Sequence, residues 1–420
     1  MSFDVKRIWS NPNWKNGALY TLFSFANNGI SFILILILAK YLLPSDYGYL
    51  NLYNSFVQII SILIALGTTS YVSNAFFQKN RTELSQVILT SILTIIVCLI
   101  VFTIILLGFP IISSRLVGLP LPYLLVALII CGFQCITNLN LDIWRLEEKP
   151  ISYGLFSMSM VILNFIVTLV WVVWENYGWV GRIYAQGTVA SIFFLISGIF
   201  LCKRGYLRKL KISKSIVWET LIFGIPLVPH MLSFWLKQGM DRYIINYYFS
   251  STDVGIYSFA LNFGSIIGII GTAFNANNSV FMYKSLTKGY YQARKSLNHI
   301  AKLMFFIFLA CSVIVWIGSY ELIPYVLPKY TNSKPLLFPI CCGAFFQCLY
   351  LLFVNYLFFY KKTQQLMYIT FTTAIIQCIL SLILTKYSIL WTAYISMSVS
   401  LLTTLSVYYL SKKTCNSVLQ

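Results

Sequence analysis

Charge is scarce in this chain, and acid is the scarcer sign: 10% of its 420 residues are charged, with 11 Asp plus Glu against 30 Lys plus Arg. A soluble domain carries roughly 25% charged residues, so too few polar groups are present to cover a globule in water. Histidine occurs only at His230 and His299, too few and too far apart for a zinc site. The ten cysteines fall mostly inside apolar runs, not in loops at set spacings. They read as small packing residues rather than a disulfide framework or a Cys-x-x-Cys metal site. No acid–base pair or nucleophile constellation appears, so no catalytic residue is named and no enzyme is expected. The opening MSFDVKRIWSNPNWKNG is polar and basic, and no small-residue cleavage site follows it. An uncleaved amino terminus on the cytoplasmic side is the expectation.

What the chain has instead is length of apolar run. Hydrophobic residues make up 59% of it, and Ile30–Ala39, Val87–Gly108 and Leu121–Cys135 are nearly free of charge. A helix needs about 20 apolar residues to span hydrocarbon, whereas a barrel strand shows ~10-residue alternation, which is absent. The fold class is therefore all-α and polytopic, with about twelve spans at 17–39, 48–73, 87–108, 119–139, 151–174, 179–202, 220–248, 254–276, 300–319, 335–358, 364–385 and 389–410. With this layout 22 Lys and Arg fall on one side and 6 on the other, among them Arg182, while Lys237 and Arg242 lie inside a span. The positive-inside rule then puts both termini in the cytoplasm of a multi-pass protein. The formal charge of +19 reads as this topology signal and not as nucleic-acid binding. The basic run Lys203–Lys214 leaves contact with anionic headgroups open. Aromatic content of 17% suits either interfacial belts or sugar stacking.

An internal echo organises these spans. LAKYLLPSDYG at 38–48 and INYYFSSTDVG at 245–255 each place a hydroxyl residue, an Asp and a Gly just past a long apolar helix, at an offset of 207. Gln134-Cys135 against Gln347-Cys348, and Tyr153 against Tyr368, recur at offsets of 213 and 215. The expectation is two six-helix halves, 1–210 and 211–420, related by a pseudo-two-fold along the membrane normal. Ser45 or Thr252 before its Asp would cap the following helix.

The alignment of the halves relocates one group of charges. Lys237, Asp241 and Arg242 fall opposite Ile30, Leu34 and Ile35, in the middle of a span. Each central charge costs roughly 2.5–3.5 kcal/mol on insertion scales, so a lipid-facing position is excluded. At 100° per residue His230, Ser233, Lys237 and Asp241 share one stripe, Gln238, Arg242 and Asn246 adjoin it, and Leu232, Leu236, Met240, Ile244 and Tyr247 lie opposite. Such a helix should turn its polar face to a wet cavity, with a kink below the charges at Pro226 and Pro229. An arginine fork and an ammonium suit phosphate oxygens. Lys237, Asp241, Arg242, Gln238, His230 and Asn246 are therefore the candidate substrate-binding residues. Two alternatives stay open: a structural Lys237–Asp241 pair at i, i+4, and a loop position for the whole segment.

The passage GIPLVPHMLSFWLKQGMDRYIINYYFSSTDVGIYSFALNFG (224–264) resembles the seventh and eighth helices of bacterial polysaccharide-export flippases of the Wzx type. These belong to the superfamily that includes the multidrug-and-toxin extruders. NGALYTLFSFANNGISFILILILAKYLLPSDYGYLNLYNSF (16–56) is similar to their first helices. The resemblance implies a MATE-like fold in the bacterial cytoplasmic membrane. It implies alternating-access translocation of undecaprenyl-diphosphate-linked oligosaccharide units for surface polysaccharide, such as O-antigen or capsule. It further implies a cationic cavity, to which Lys237, Asp241 and Arg242 would contribute. The first span carries Asn27 and Asn28 in place of a cation. The expected partners are the lipid-linked oligosaccharide, membrane lipids and polysaccharide polymerase machinery, with no nucleic acid and a monomeric chain. No cofactor or metal is expected; a proton, sodium or membrane-potential gradient is the candidate energy source, with His230 as a candidate relay. The rivals are a MATE-type small-molecule antiporter, which relies on a carboxylate in the amino-terminal half, and a membrane oligosaccharide polymerase or ligase, which needs large external loops.

Overall fold

A computed structural model describes residues 12–207, 213–287 and 289–417, and every regular element among them is helical. Twelve segments are long and apolar enough to cross a membrane, from Asn16–Tyr41 to Ile389–Asn416, and each overlaps an expected span. Lys6, Arg7, Arg208, Lys209, Lys211 and Lys288 of the basic tally, and the expected boundary at 210/211, lie outside the described residues. The packing is inverted relative to a soluble protein. Only 22% of the Arg81–Gly108 window and 11% of the Tyr291–Val326 window is buried. Ile96, Val97, Ile100 and Ile104 point outward, as do Phe306, Ile314 and Ile317. Side chains of this kind are stable outside only when the surroundings are hydrocarbon.

Two compact units divide the chain, Met1–Leu232 and Ser233–Gln420. The first unit holds α1 (Pro12–Tyr41), α2 (Pro44–Ala65), α3 (Thr68–Gln78), α4 (Arg81–Gly108), α5 (Leu121–Leu146), α6 (Pro150–Thr168), α7 (Gly178–Lys203) and α8 (Lys214–Gly224). The boundary falls within α9 (Leu227–Gln238). The second unit continues with α10 (Met240–Tyr248), α11 (Ser251–Leu286), α12 (Tyr290–Val326), α13 (Lys334–Phe359), α14 (Thr363–Leu384) and α15 (Ile389–Ser417). One of its core clusters is Ile267, Met304, Phe308, Cys341, Phe345, Cys348 and Leu352, which sets two cysteines of α13 into apolar packing.

In the first unit, α2 ends where Leu66 and Gly67 both take left-handed φ angles of 46° and 67°. At that break α8 comes close enough that a Cβ on Gly67 would stand 2.4 Å from the Gly224 carbonyl oxygen. Only paired glycines allow that approach. One end of this unit is stapled by ions: Glu147 meets Lys149 at 3.0 Å and Arg204 at 3.1 Å, and Lys79 meets Glu219 at 2.8 Å. Arg81 stacks 3.5 Å over the Tyr206 ring, and the Tyr206 hydroxyl donates to Glu147 at 2.5 Å.

The caps differ from expectation. Ser250, not Thr252, is the N-cap of α11 and accepts from the Asp253 amide at 3.3 Å. The chain turn places Thr252 already inside the first helical turn, so its hydroxyl is past the capping position. Before α2 the cap is Leu43, with Pro44 opening the helix, so Ser45 is no cap either.

Candidate functional site

The seventh span is in three pieces. Ile225 and Pro226 separate α8 from α9, as the lost proline donors require. Gly239 then interrupts the helix a second time, between Lys237 and Asp241. Within the second unit, α10 and the end of α9 meet α14. The Lys237 ammonium donates to Thr373 Oγ1 at 2.8 Å and to Thr403 Oγ1 at 3.1 Å. One turn further on, Gln377 Nε2 donates both to the Lys237 carbonyl at 2.9 Å and to Asp241 Oδ2 at 3.0 Å. Ser381 Oγ donates to Asp241 Oδ1 at 3.1 Å, and Tyr257 donates to Oδ2 at 3.2 Å. Thr373, Gln377 and Ser381 stand at i, i+4 and i+8, one face of α14. The polar stripe of the seventh span thus meets a matching polar stripe.

Depth follows from these partners. Thr373 lies near the middle of the span Thr363–Tyr387, and Thr403 near the middle of Ile389–Asn416. The Lys237 ammonium is therefore held at mid-membrane level, far from either loop. Arg242 Nε donates to Ser258 Oγ at 3.2 Å and its Nη1 to the Gln238 carbonyl at 2.5 Å. Ser258 is about two turns into Ser251–Asn275, so Arg242 also sits inside the apolar zone. The loop alternative is overturned, since α9 and α10 enclose the segment.

A cavity of about 320 Å³ opens beside these groups, inside the second unit. Lys237, Gln238 and Arg242 line it together with Ser233, Asn262, Gln347, Ser396 and Ser400. No lining residue is acidic. Asp241 is 2% exposed and turned into the bundle, outside the lining. His230, two turns before Lys237 on α9, and the half-buried Asn246 on α10 are also outside it. The Lys237–Asp241 ion pair is absent from the ion pairs of the described residues: the ammonium is turned to threonines and the carboxylate to neutral donors. The cavity therefore offers two cations and several amides and hydroxyls, and its one nearby carboxylate is already saturated by donors. That arrangement can accept oxygen-rich anions through charge-assisted bonds in a low dielectric.

Sequence reasoning missed the receiving side. Thr373, Gln377 and Ser381 were legible as a four-residue polar repeat inside an apolar span, but without a known neighbour the repeat had no meaning. It also misplaced Arg182, expected in an external segment. Arg182 is inside α7, where Nη1 donates to Thr168 Oγ1 at 2.6 Å and to Asn164 Oδ1. Nearby in the same unit Gln186 donates to Asn54 at 3.2 Å, and the Tyr53 hydroxyl is buried without a partner. Asn27 Nδ2 donates to Ser157 Oγ at 3.0 Å, so this amide packs within the first unit.

Comparison with known proteins gives the same picture at the level of fold. Residues 226–383 match the MatE family. A curated relative, the "Lsg locus putative protein 1" of Haemophilus influenzae, is 23% identical over 407 residues, covering 95% of this chain and 98% of its own. Among solved structures, the inward-facing conformation of a multidrug resistance MATE family transporter of the MOP superfamily superposes with TM-score 0.78 at 16% identity, over 92% of this chain and 94% of that one. The lipid II flippase MurJ in an inward closed conformation gives TM-score 0.73 at 14% identity, over 94% and 87%. The fold and family are those of membrane transporters and flippases. Residues 13–277, more than half of the chain, match the model described as "Polysaccharide biosynthesis protein", and the chain belongs to that family.

Proposed function

We propose that this protein is a flippase for undecaprenyl-diphosphate-linked oligosaccharide units, carrying them across the bacterial cytoplasmic membrane for surface polysaccharide assembly. The observation that carries the reading is the pairing of Lys237 and Arg242 on one cavity wall at membrane depth, with no acidic side chain in the lining. Holding two cations there is costly unless an anion repeatedly occupies the space. A diphosphate supplies that anion, and Gln238, Gln347 and Asn262 offer amide contacts suited to sugar hydroxyls. The relation to polysaccharide biosynthesis proteins, and a fold shared with a lipid II flippase, support a lipid-linked sugar as cargo. The isoprenoid tail stays in lipid, against the apolar outer surface. The site opens alternately to the cytoplasm and to the outside, with both termini cytoplasmic.

The MATE-type antiporter reading has the MatE match at 226–383 behind it. An organic cation, however, would meet Lys237 and Arg242 and find no carboxylate in the lining. The test uses a deletion strain complemented with Lys237→Ala or Arg242→Ala at matched membrane abundance. Both should lose surface polysaccharide and accumulate lipid-linked precursor facing the cytoplasm. Normal export by both variants overturns the assignment.

A further inference from the structure

The acidic residues of the second unit are Asp241, Asp253 and Glu321. Asp241 is in the membrane, while Asp253 opens α11 and Glu321 nears the end of α12, at the unit's other end from the loops joining α11 to α12 and α13 to α14. None of this unit's acidic side chains therefore lies at the end that carries those two loops and the last turns of α15. That end carries eight described cations: Lys284, Arg294, Lys295, Lys302, Lys361, Lys362, Lys412 and Lys413. In the first unit the comparable basic end is stapled by Glu147 and Glu219.

Two of these exposed cations border one cavity. Arg294 on α12 and Lys412 on α15 converge on a separate cavity of about 180 Å³, walled also by α11 and α13. Among the described residues neither forms a hydrogen bond or ion pair. A third polar residue lines the same space: Asn278, 8% exposed. The floor is apolar, with Met282, Leu297, Leu352 and Phe353.

The level in the membrane is defined as well. Arg294 and Lys295 stand in the first turns of α12, and Lys412 and Lys413 in the last turns of α15, outside the long apolar runs of those helices. Cations at the edge of the apolar runs stand at the level where phosphates of lipid headgroups lie. Positive-inside counting makes this the cytoplasmic leaflet.

We propose that this cavity is a binding site for the phosphoryl group of an anionic phospholipid, held by Arg294, Lys412 and Asn278 and separate from the cargo cavity. Two cations and an amide donor take the phosphate oxygens, and the acyl chains leave along the apolar floor. A free phosphate ion shares the chemistry of the headgroup, and the test separates the two sources.

The experiment measures thermal unfolding of the full-length purified protein in phosphatidylcholine nanodiscs, with and without phosphatidylglycerol, and in detergent with inorganic phosphate. Three proteins are compared: wild type, Arg294→Gln/Lys412→Gln, and the control Lys295→Gln/Lys413→Gln, which removes two neighbouring charges outside the cavity. Phosphatidylglycerol should raise the wild-type midpoint by about 3 to 6 °C, the shift for a ligand at roughly tenfold its dissociation constant. The control should keep that rise and Arg294→Gln/Lys412→Gln should lose it, while unfolding in pure phosphatidylcholine at the wild-type temperature. Asn278→Ala should lose most of it, and co-purified phosphatidylglycerol seen by native mass spectrometry should fall in parallel. A shift from inorganic phosphate alone, lost in Arg294→Gln/Lys412→Gln, would assign the site to a free anion and remove the lipid. No phosphatidylglycerol effect, or an equal loss in both double variants, overturns the site and leaves only diffuse surface charge.

Discussion

Asp241→Ala tests the packing of the seventh span most sharply, because the structure assigns this carboxylate to the bundle and not to the cavity. Its oxygens accept from Tyr257 at 3.2 Å, Gln377 at 3.0 Å and Ser381 at 3.1 Å. Gln377 keeps a partner in the Lys237 carbonyl after the change. The Tyr257 and Ser381 hydroxyls, 1% and 0% exposed, do not. An orphaned buried donor costs roughly 1–3 kcal/mol, so Asp241→Ala should destabilise by roughly 2–6 kcal/mol. At roughly 2–4 °C per kcal/mol for a unit of this size, the midpoint of unfolding should fall by roughly 5–20 °C. Asp241→Asn keeps one acceptor oxygen and the same shape, and its new amide can donate to either hydroxyl after a rotation. Its loss should be at most about a third of the alanine loss. The assay is fluorescence-monitored unfolding of both variants in one detergent. An alanine variant melting within about 2 °C of wild type, or an asparagine variant equally impaired, would refute the arrangement. Either result would return Asp241 to the cavity wall.

Glu147 gives a pH dependence. Burial works to raise its pKa, but Tyr206, Lys149 and Arg204 together outweigh it and hold the carboxyl below its ordinary value of 4.5. A depressed folded value means stability that is complete above pH 4.5 and lost as pH falls through the folded value. The unfolding midpoints of wild type and Glu147→Gln should therefore differ at neutral pH and converge once the pH has fallen below the depressed folded value; parallel profiles would exclude the linkage. Gly67→Ala and Gly224→Ala each drive a Cβ to 2.4 Å from a backbone oxygen and should cost on the order of 1–3 kcal/mol. Gly198→Ala, with open space around it on α7, should be neutral or slightly stabilising, as read from melting points of the three variants.

The twelve spans were legible because hydrocarbon imposes a length and a composition that few other environments select. The charged stripe of the seventh span was legible for a related reason: Lys237, Gln238 and Arg242 violate that composition together. What could not be read was how the stripe is satisfied. Periodicity places Lys237 and Asp241 on one face, and both do meet α14, yet one reaches threonines and the cavity while the other ends among neutral donors. That difference depends on Thr373, Thr403, Gln377 and Ser381, residues 130 or more positions away, and on an interruption at Gly239 that no local rule required. Arg182 was misjudged for a simpler cause. It lies one turn inside α7, at a boundary that hydropathy resolves to only a few residues, and its partners Asn164 and Thr168 belong to the preceding span.

The distribution of carboxylates connects the two cavities. In the first unit acids lie where cations cluster, and the resulting pairs fix helix ends, as Glu147 does for Arg204 and Lys149. In the second unit the only acid near a membrane cation is Asp241, and three neutral side chains occupy its oxygens before any cation does. Lys237 is held by threonines while neutral donors occupy the one nearby carboxylate, and Arg294 and Lys412 stand at an end with no acidic side chain of their own unit. Stability alone would favour pairing each of them, since an uncompensated cation at membrane level is costly. Positive charge retained at two depths of one unit is explained when anions visit both places: a transient one in the cargo cavity, and a resident one at the headgroup level.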